Sequence, residues 1–359
     1  MDYLENVIYP PKIDEDELPS KGRLRELKTY ILESNEVFPS RIESDSFSTE
    51  ITDTGLNDLK ILRMFGQGRD TGKLAEFYMN TSDNRFLVLH TNYKSDETNR
   101  FIDLLTKDVR YTFDSAWFPS NILQKLSEKP GNKFKGFGVH YSDQFLKPDN
   151  ESDIDTEDLN MDMTGSMALE MQELIGTKPR IKSAVAYNKI RISRGQHNSF
   201  WNSVQDDVHN TGYFSVKRGK SVQDHLYLVG NTKDEYSEII TKVEDQRIGV
   251  KNIEGRTLVE GKAFDFEFPR PIENLVLFVE KLFNVASPFR LWGMKTKIYD
   301  GYFRILGVDL HTGSPMDFEI SKEMMRVYLF KSNCGNTILR LFTNLQIHYD
   351  SNTICRQLT

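Results

Sequence analysis

The chain has 359 residues, with 46 Lys+Arg against 53 Asp+Glu and a formal net charge of −7. At ~100–200 residues per domain this length points to two domains, long enough to bury a core without disulfide or metal staples. Hydrophobic residues at 38% and charged residues at 28% exclude fibrous, collagen-like, coiled-coil and wholly disordered chains.

The amino-terminal residues carry acid, including a cluster at Asp14 to Glu17, where a secretory signal needs base and an apolar stretch. A helix is expected after Ser20, with Leu24, Leu27, Tyr30 and Ile31 on one face. Leu74 to Met79 and Arg85 to His90 read as β-strands around the turn formers Asn80 to Asn84. Ser95 is a candidate N-cap, followed by Asp96 and Glu97 in the first turn, with Phe101, Leu104 and Leu105 facing the core. Val109 to Trp117 reads as another strand, and Pro119 with Ser120 opens a short helix.

Residues 148–163 contain Asp149, Glu151, Asp153, Asp155, Glu157, Asp158 and Asp162 and no base, so this segment alone equals the net charge of the chain. So acidic a stretch buries too little apolar surface to offset its ordering entropy, and it reads as a solvated linker. Beyond it, Ile181 to Ile192, Tyr213 to Lys217 and Leu226 to Val229 are expected strands. Tyr236, Ile239, Ile240 and Val243 follow helical spacing. Val250 to Phe268 resembles a β-hairpin turning near Glu254 and Gly255, and Pro271 suits the first position of a helix carrying Leu275, Phe278, Val279 and Leu282. The tail alternates strand-like runs with one helix expected after Ser321. Helices and strands interleave without regular βαβ units, which predicts an α+β fold. The expected organisation is two parts with largely antiparallel sheets, 1–147 and 164–359, joined by the acidic linker 148–163.

Few motifs carry chemistry. Gly66 to Lys73 resembles a phosphate loop, but its glycine spacing is wrong and Leu74 stands where Ser or Thr is required. The seven histidines and two cysteines, Cys334 and Cys355, lack metal-ligand spacing, so no metal site or cofactor is expected. Glu260-Gly261-Lys262 on a strand, with Asp245 and Glu254 upstream, is the pattern of a Mg²⁺-dependent nuclease, in which carboxylates hold the ion and a lysine stabilises charge. An alternating solvent-facing strand has the same pattern.

Residues 177–220 carry nine bases against Asp206 and Asp207. Lys182, Lys189, Arg191, Arg194, Lys217, Arg218 and Lys220, interleaved with Tyr187 and Trp201, match a face on which phosphates meet cations and bases stack on rings. A solvated sheet with core aromatics fits the same residues. The leading expectation is a non-catalytic binding protein or complex subunit that contacts DNA or RNA through this face. The acidic segment would compete for the face as a phosphate mimic. The alternatives are the nuclease, which alone would need Mg²⁺, and a protein–protein adaptor using aromatics such as Trp117 and Phe118. A protein partner is expected in either binding reading. No run approaches the ~20 apolar residues of a membrane span, so no membrane contact and a cytoplasmic location are expected.

Overall fold

A computed structural model describes residues 27–34, 38, 41–107, 113–143, 158–195, 202–253 and 256–358. The described residues form 19 strands and seven α-helices, and the sheets are antiparallel, so the fold is α+β, as the interleaving predicts. The chain divides into two compact units. Unit 1 comprises Met1–Ala116, Ser127–Phe134 and Arg191–Lys233; unit 2 comprises Trp117–Leu126, Lys135–Ile190 and Asp234–Thr359. Each unit therefore draws on segments from both sides of the acidic run.

Unit 1 is built on β1 (Lys28–Ser34), all seven residues of which are buried. One edge of β1 pairs with β5 (Phe86–Thr91); the other pairs with β11 (Tyr213–Gly219) over Lys28 to Tyr30 and with β6 (Phe113–Ser115) over Leu32 to Ser34. Outward from β5 come β4 (Leu74–Asn80), β3 (Leu59–Gly66) and β2 (Phe47–Leu56), while β10 (Ser203–His209) lies beyond β11. Period-two alternation sends Tyr30 and Leu32 to one face, where they join Phe77, Leu89, Phe101 and Leu105 in a core that includes α1 (Ser95–Lys107). Thr29 on the other face meets His225 near the start of α5 (Val222–Glu244), a helix that leaves unit 1 after Lys233. The turn before β11 needs glycine: Gly212 has φ +71°, and a Cβ there would lie 2.8 Å from the Ile31 carbonyl oxygen.

The Gly66 to Lys73 segment joins β3 to β4. Its Lys73 donates to Asp70 at 2.6 Å, and Arg100 of α1 bonds the same carboxylate at 3.0 Å. These cations, Lys73 first, hold Asp70 below the usual carboxylate range. The turn closes on its own acid.

Unit 2 contains a six-stranded sheet in the order β15 (Leu291–Tyr299), β16 (Tyr302–Asp309), β17 (Ser314–Ser321), β18 (Met324–Leu329), β14 (Phe264–Glu267), β19 (Ile354–Cys355). Two helices, α6 (Leu275–Leu282) and α7 (Asn336–His348), complete its core, with Phe278, Leu282, Ile338 and Phe342 among Phe266, Phe318 and Val327. Unit 2 also holds the hairpin β12 (Gly249–Ile253) and β13 (Arg256–Glu260), the short helices α2 (Ser120–Ser127) up to Leu126, α3 (Ser166–Gly176) and α4 (Pro179–Ser183), and strand β8 (Asp158–Thr164) with its partner β7 (Lys133–Ser142) from Lys135 onward. The last strand, β9 (Tyr187–Gly195), begins in unit 2 and ends in unit 1.

Several elements differ from expectation for identifiable reasons. Tyr30 and Ile31 belong to strand β1, not a helix; with both faces covered, the strand lacks alternation and its apolar run imitates a helical stripe. Leu226 to Val229 lies inside the 23-residue α5, since a four-residue apolar run fits either state and the flanking residues decide. Residues 181–183 close α4, and the strand starts at Tyr187. Ser321 caps a hairpin turn rather than a helix, accepting the N–H groups of Glu323 and Met324 at 3.3 and 3.2 Å. The helix of the tail is α7. In α6 the cap is Asn274, whose side chain accepts from the Leu277 N–H at 3.1 Å, so Pro271 precedes the helix. Within the expected linker, 158–163 fall in β8, where Leu159, Met161 and Met163 are more covered than Asp158, Asn160 and Asp162. Residues 144–157 lie outside the described residues.

In unit 2 the buried α7 carries Arg340, which is 1% exposed and paired with Asp309 of β16. Asp309 also accepts from Thr337 Oγ1 and, at 3.0 Å, from the His311 N–H. Removing one partner of a buried pair leaves an uncompensated charge at a cost of about 3–5 kcal/mol. Arg340→Leu is accordingly expected to lower the urea denaturation midpoint by that equivalent; an unchanged midpoint would contradict this role for the pair.

Candidate nucleic-acid interface

The sequence Tyr-Asn-Lys-Ile-Arg-Ile-Ser-Arg-Gly makes β9 an alternating strand, with Ile190 and Ile192 buried and Lys189 and Arg191 on the opposite face. Each cation of this strand meets a carboxylate. Lys189 pairs with Asp162 of β8. Arg191 forks onto Asp207 of β10, with Nη2 donating to Oδ2 at 2.8 Å, and Asp207 is buried. Arg194 lies 3.8 Å from Asp224 Oδ1 and donates to Asn132 Oδ1 at 3.0 Å, while its guanidinium stacks 3.8 Å over the Tyr227 ring.

The remaining expected residues are dispersed. Lys217 and Arg218 stand exposed near the end of β11, with Lys220 half-buried just after it. Lys182 is exposed on α4. Tyr187 is buried and meets Phe137 edge-on, with ring centroids 5.4 Å apart; burial pushes its phenol up. Its ring is taken up by the core of unit 2. Trp201 lies outside the described residues. Sequence reasoning missed Tyr227, which is 51% exposed and holds Arg194, because Leu226 to Val229 reads as a strand instead of a helix face.

The nuclease residues are drawn together only through the backbone. The Lys262 N–H donates to the Gln246 carbonyl at 2.8 Å, which sets the turn after α5 beside the end of β13. The Glu260 carboxylate is taken by Lys331, which also holds it below its usual range. Among the described residues neither Asp245 nor Glu260 falls in a group of three side chains spaced to hold a metal. Glu254 lies outside the described residues.

The sequence pattern of the MJECL33-like protein family matches residues 5–357. The chain belongs to that family. The uncharacterized protein MJECL33 of Methanocaldococcus jannaschii is 27% identical over 364 residues, covering 91% of this chain and 85% of that protein. The family match spans segments of both units, so it describes the whole arrangement and not one part of it.

A second polar set, in unit 1, escapes any local motif. Asp206 Oδ1 bonds His225 Nδ1 at 2.9 Å, and His225 Nε2 bonds Thr29 Oγ1 at 2.7 Å. Thr29 Oγ1 in turn bonds His90 Nδ1 at 2.8 Å. All four residues are buried. The two acids set against the nine bases of 177–220 are therefore both committed inside unit 1, Asp206 to His225 and Asp207 to Arg191. Arg191→Ala should destabilise the protein by about 3–5 kcal/mol, because Asp207 is left buried and unpaired. Arg218→Ala, at an exposed position of β11, should stay within ~0.5 kcal/mol of wild type. Equal urea midpoints for the two variants would contradict the distinction.

Proposed function

We propose that this protein is a cytoplasmic, non-catalytic binding protein or complex subunit that contacts nucleic acid through cations of β9 and β11. Its acidic segment is proposed to compete for those cations. The observation that carries this reading is the ion pair between Asp162, from the acidic run, and Lys189, on the basic strand. A carboxylate thus holds the position that a backbone phosphate oxygen would take, and it comes from the segment whose charge makes it a phosphate mimic. Exposed Lys217 and Arg218 supply further cationic contacts. Arg191, held against a buried carboxylate, serves as scaffold in this reading.

A protein partner is favoured by a separate observation. In unit 2 the edge strand β15 and its neighbour β16 set Met294 opposite Leu306 and Trp292 opposite Val308. Trp292, Met294 and Leu306 are exposed, as are Ile298 and Tyr299 farther along β15. An apolar face on an edge strand is the kind of surface that another chain covers. No helix among the described residues is long and apolar enough to cross a membrane.

The test is fluorescence anisotropy with labelled single-stranded DNA, duplex DNA and RNA over a salt series, with Mg²⁺ present and a gel check for cleavage. Binding is expected to weaken linearly on log–log axes, and Lys217→Ala/Arg218→Ala should lower the slope by roughly two. Asp162→Asn should raise affinity severalfold. Absence of binding to all three probes, in both wild type and Asp162→Asn, would remove nucleic acid and leave the protein-partner reading. Cleavage would replace the non-catalytic reading with a nuclease.

A further inference from the structure

Unit 1 contains a cavity of about 270 Å³. Phe86 and Val88 of β5 and Leu226 and Val229 of α5 give it apolar walls. At its polar side Lys233 donates to Asp83 at 2.8 Å. Burial opposes the charge on Asp83, but Lys233 and the N–H groups of Arg85 and Phe86 outweigh it and hold the carboxyl below its usual range. That cation and anion are already matched to each other.

Two further residues lining the cavity need an explanation. The first is Gly230, in the middle of the 23-residue α5, where glycine is the poorest helix former after proline. A Cβ placed there would find nothing within 4 Å, so close packing does not require the glycine. What the missing side chain leaves is open volume along the helix.

The second is His90, only 2% exposed, at the end of the buried chain from Asp206. A carboxylate only accepts, so the proton between Asp206 and His225 lies on His225 Nδ1. The one Thr29 hydroxyl proton serves only one of its two histidines; donated to His225 Nε2, it would leave Thr29 Oγ1 to accept from His90 Nδ1, the direction adopted in the proposal below. Burial, reinforced by nearby His225, lowers the His90 pKa to about 3, so the ring is neutral, and in that direction of the chain its Nε2 would be an acceptor.

We propose that this cavity is a binding site for a small neutral molecule with an apolar body and a hydroxyl group, the hydroxyl donating to His90 Nε2. Apolar walls select the body, and an apolar cavity of ~150 Å³ already admits a benzene-sized molecule. A wholly apolar ligand would seal off that acceptor without a donor, which is unfavourable and selects the hydroxyl. An anion is disfavoured because it would oppose its lone pairs to that of the imidazole.

Phenol and toluene are suitable probes, being alike in shape but differing in the donor. Isothermal titration calorimetry on the full chain is expected to give phenol about tenfold tighter binding than toluene. His90→Leu should bring phenol down to the affinity of toluene. Gly230→Leu, which fills the open volume, should abolish phenol binding while the circular dichroism spectrum is retained. Equal affinities for the two probes in wild type, no phenol binding up to its solubility limit, or full phenol binding by Gly230→Leu would each overturn the proposal. The wild-type comparison and the glycine variant decide the matter even if His90→Leu does not fold.

Discussion

A strand buried along its whole length must find a partner inside the protein for every polar group it carries, and β1 carries five polar residues among its seven. Lys28 donates to the Tyr93 carbonyl at 2.8 Å, and the Tyr30 hydroxyl donates to Asn99 at 2.6 Å. Glu33 is fully buried against Arg85, and Thr29 joins two histidines. These partners come from β5 and the turn before it, α1, α5 and the loop before α1, so satisfying β1 also places the elements on both faces of unit 1. Each group left without its partner would cost about 1–3 kcal/mol, a large share of a typical folding free energy. The Asp206–His225–Thr29–His90 chain is one result of this constraint.

The same rule changes the meaning of charge along the chain. A run of bases on alternating strands suggests a surface waiting for phosphate, yet on β9 every cation has a carboxylate beside it. Two of those pairs are scaffold, because Asp207 is buried and Arg194 is wedged among Asn132, Asp224 and Tyr227. The pair between Lys189 and Asp162 is different in kind: the Asp162 side chain is half exposed, at 52%, and belongs to the acidic run. Exchange of one anion for another is least costly at such a pair, which is why the binding proposal rests there.

Legibility followed burial. Elements with one face on a core and one toward solvent could be read, such as α1, with Ser95 at its start and Phe101 and Leu105 buried, and β4, with alternate residues buried; β5, buried throughout, and the exposed β12–β13 hairpin were marked by their turn residues instead. Elements covered on both sides lose their periodicity, and β1 was accordingly mistaken for a helix. Short apolar runs such as Leu226 to Val229 fit two states until the surrounding helix is seen, and that ambiguity hid both Tyr227 and the His225 face of α5. The basic segment was legible as composition, but its pairing was not, since Lys189 and Asp162 are 27 residues apart and meet only through strand pairing. The histidine chain was farther out of reach: Thr29 lies 61 residues from His90 and 196 from His225. No spacing rule links positions joined by three different elements.

The direction of the hydrogen-bond chain through β1 is the claim on which the cavity's chemistry depends. Long-range ¹H–¹⁵N correlation of the histidine side chains at neutral pH reports it directly, since protonated and unprotonated ring nitrogens differ in shift. Our account predicts Nδ1–H with a bare Nε2 for both His90 and His225. A proton on His90 Nε2, or on both nitrogens of His225, would mean that Thr29 points the other way and would contradict it.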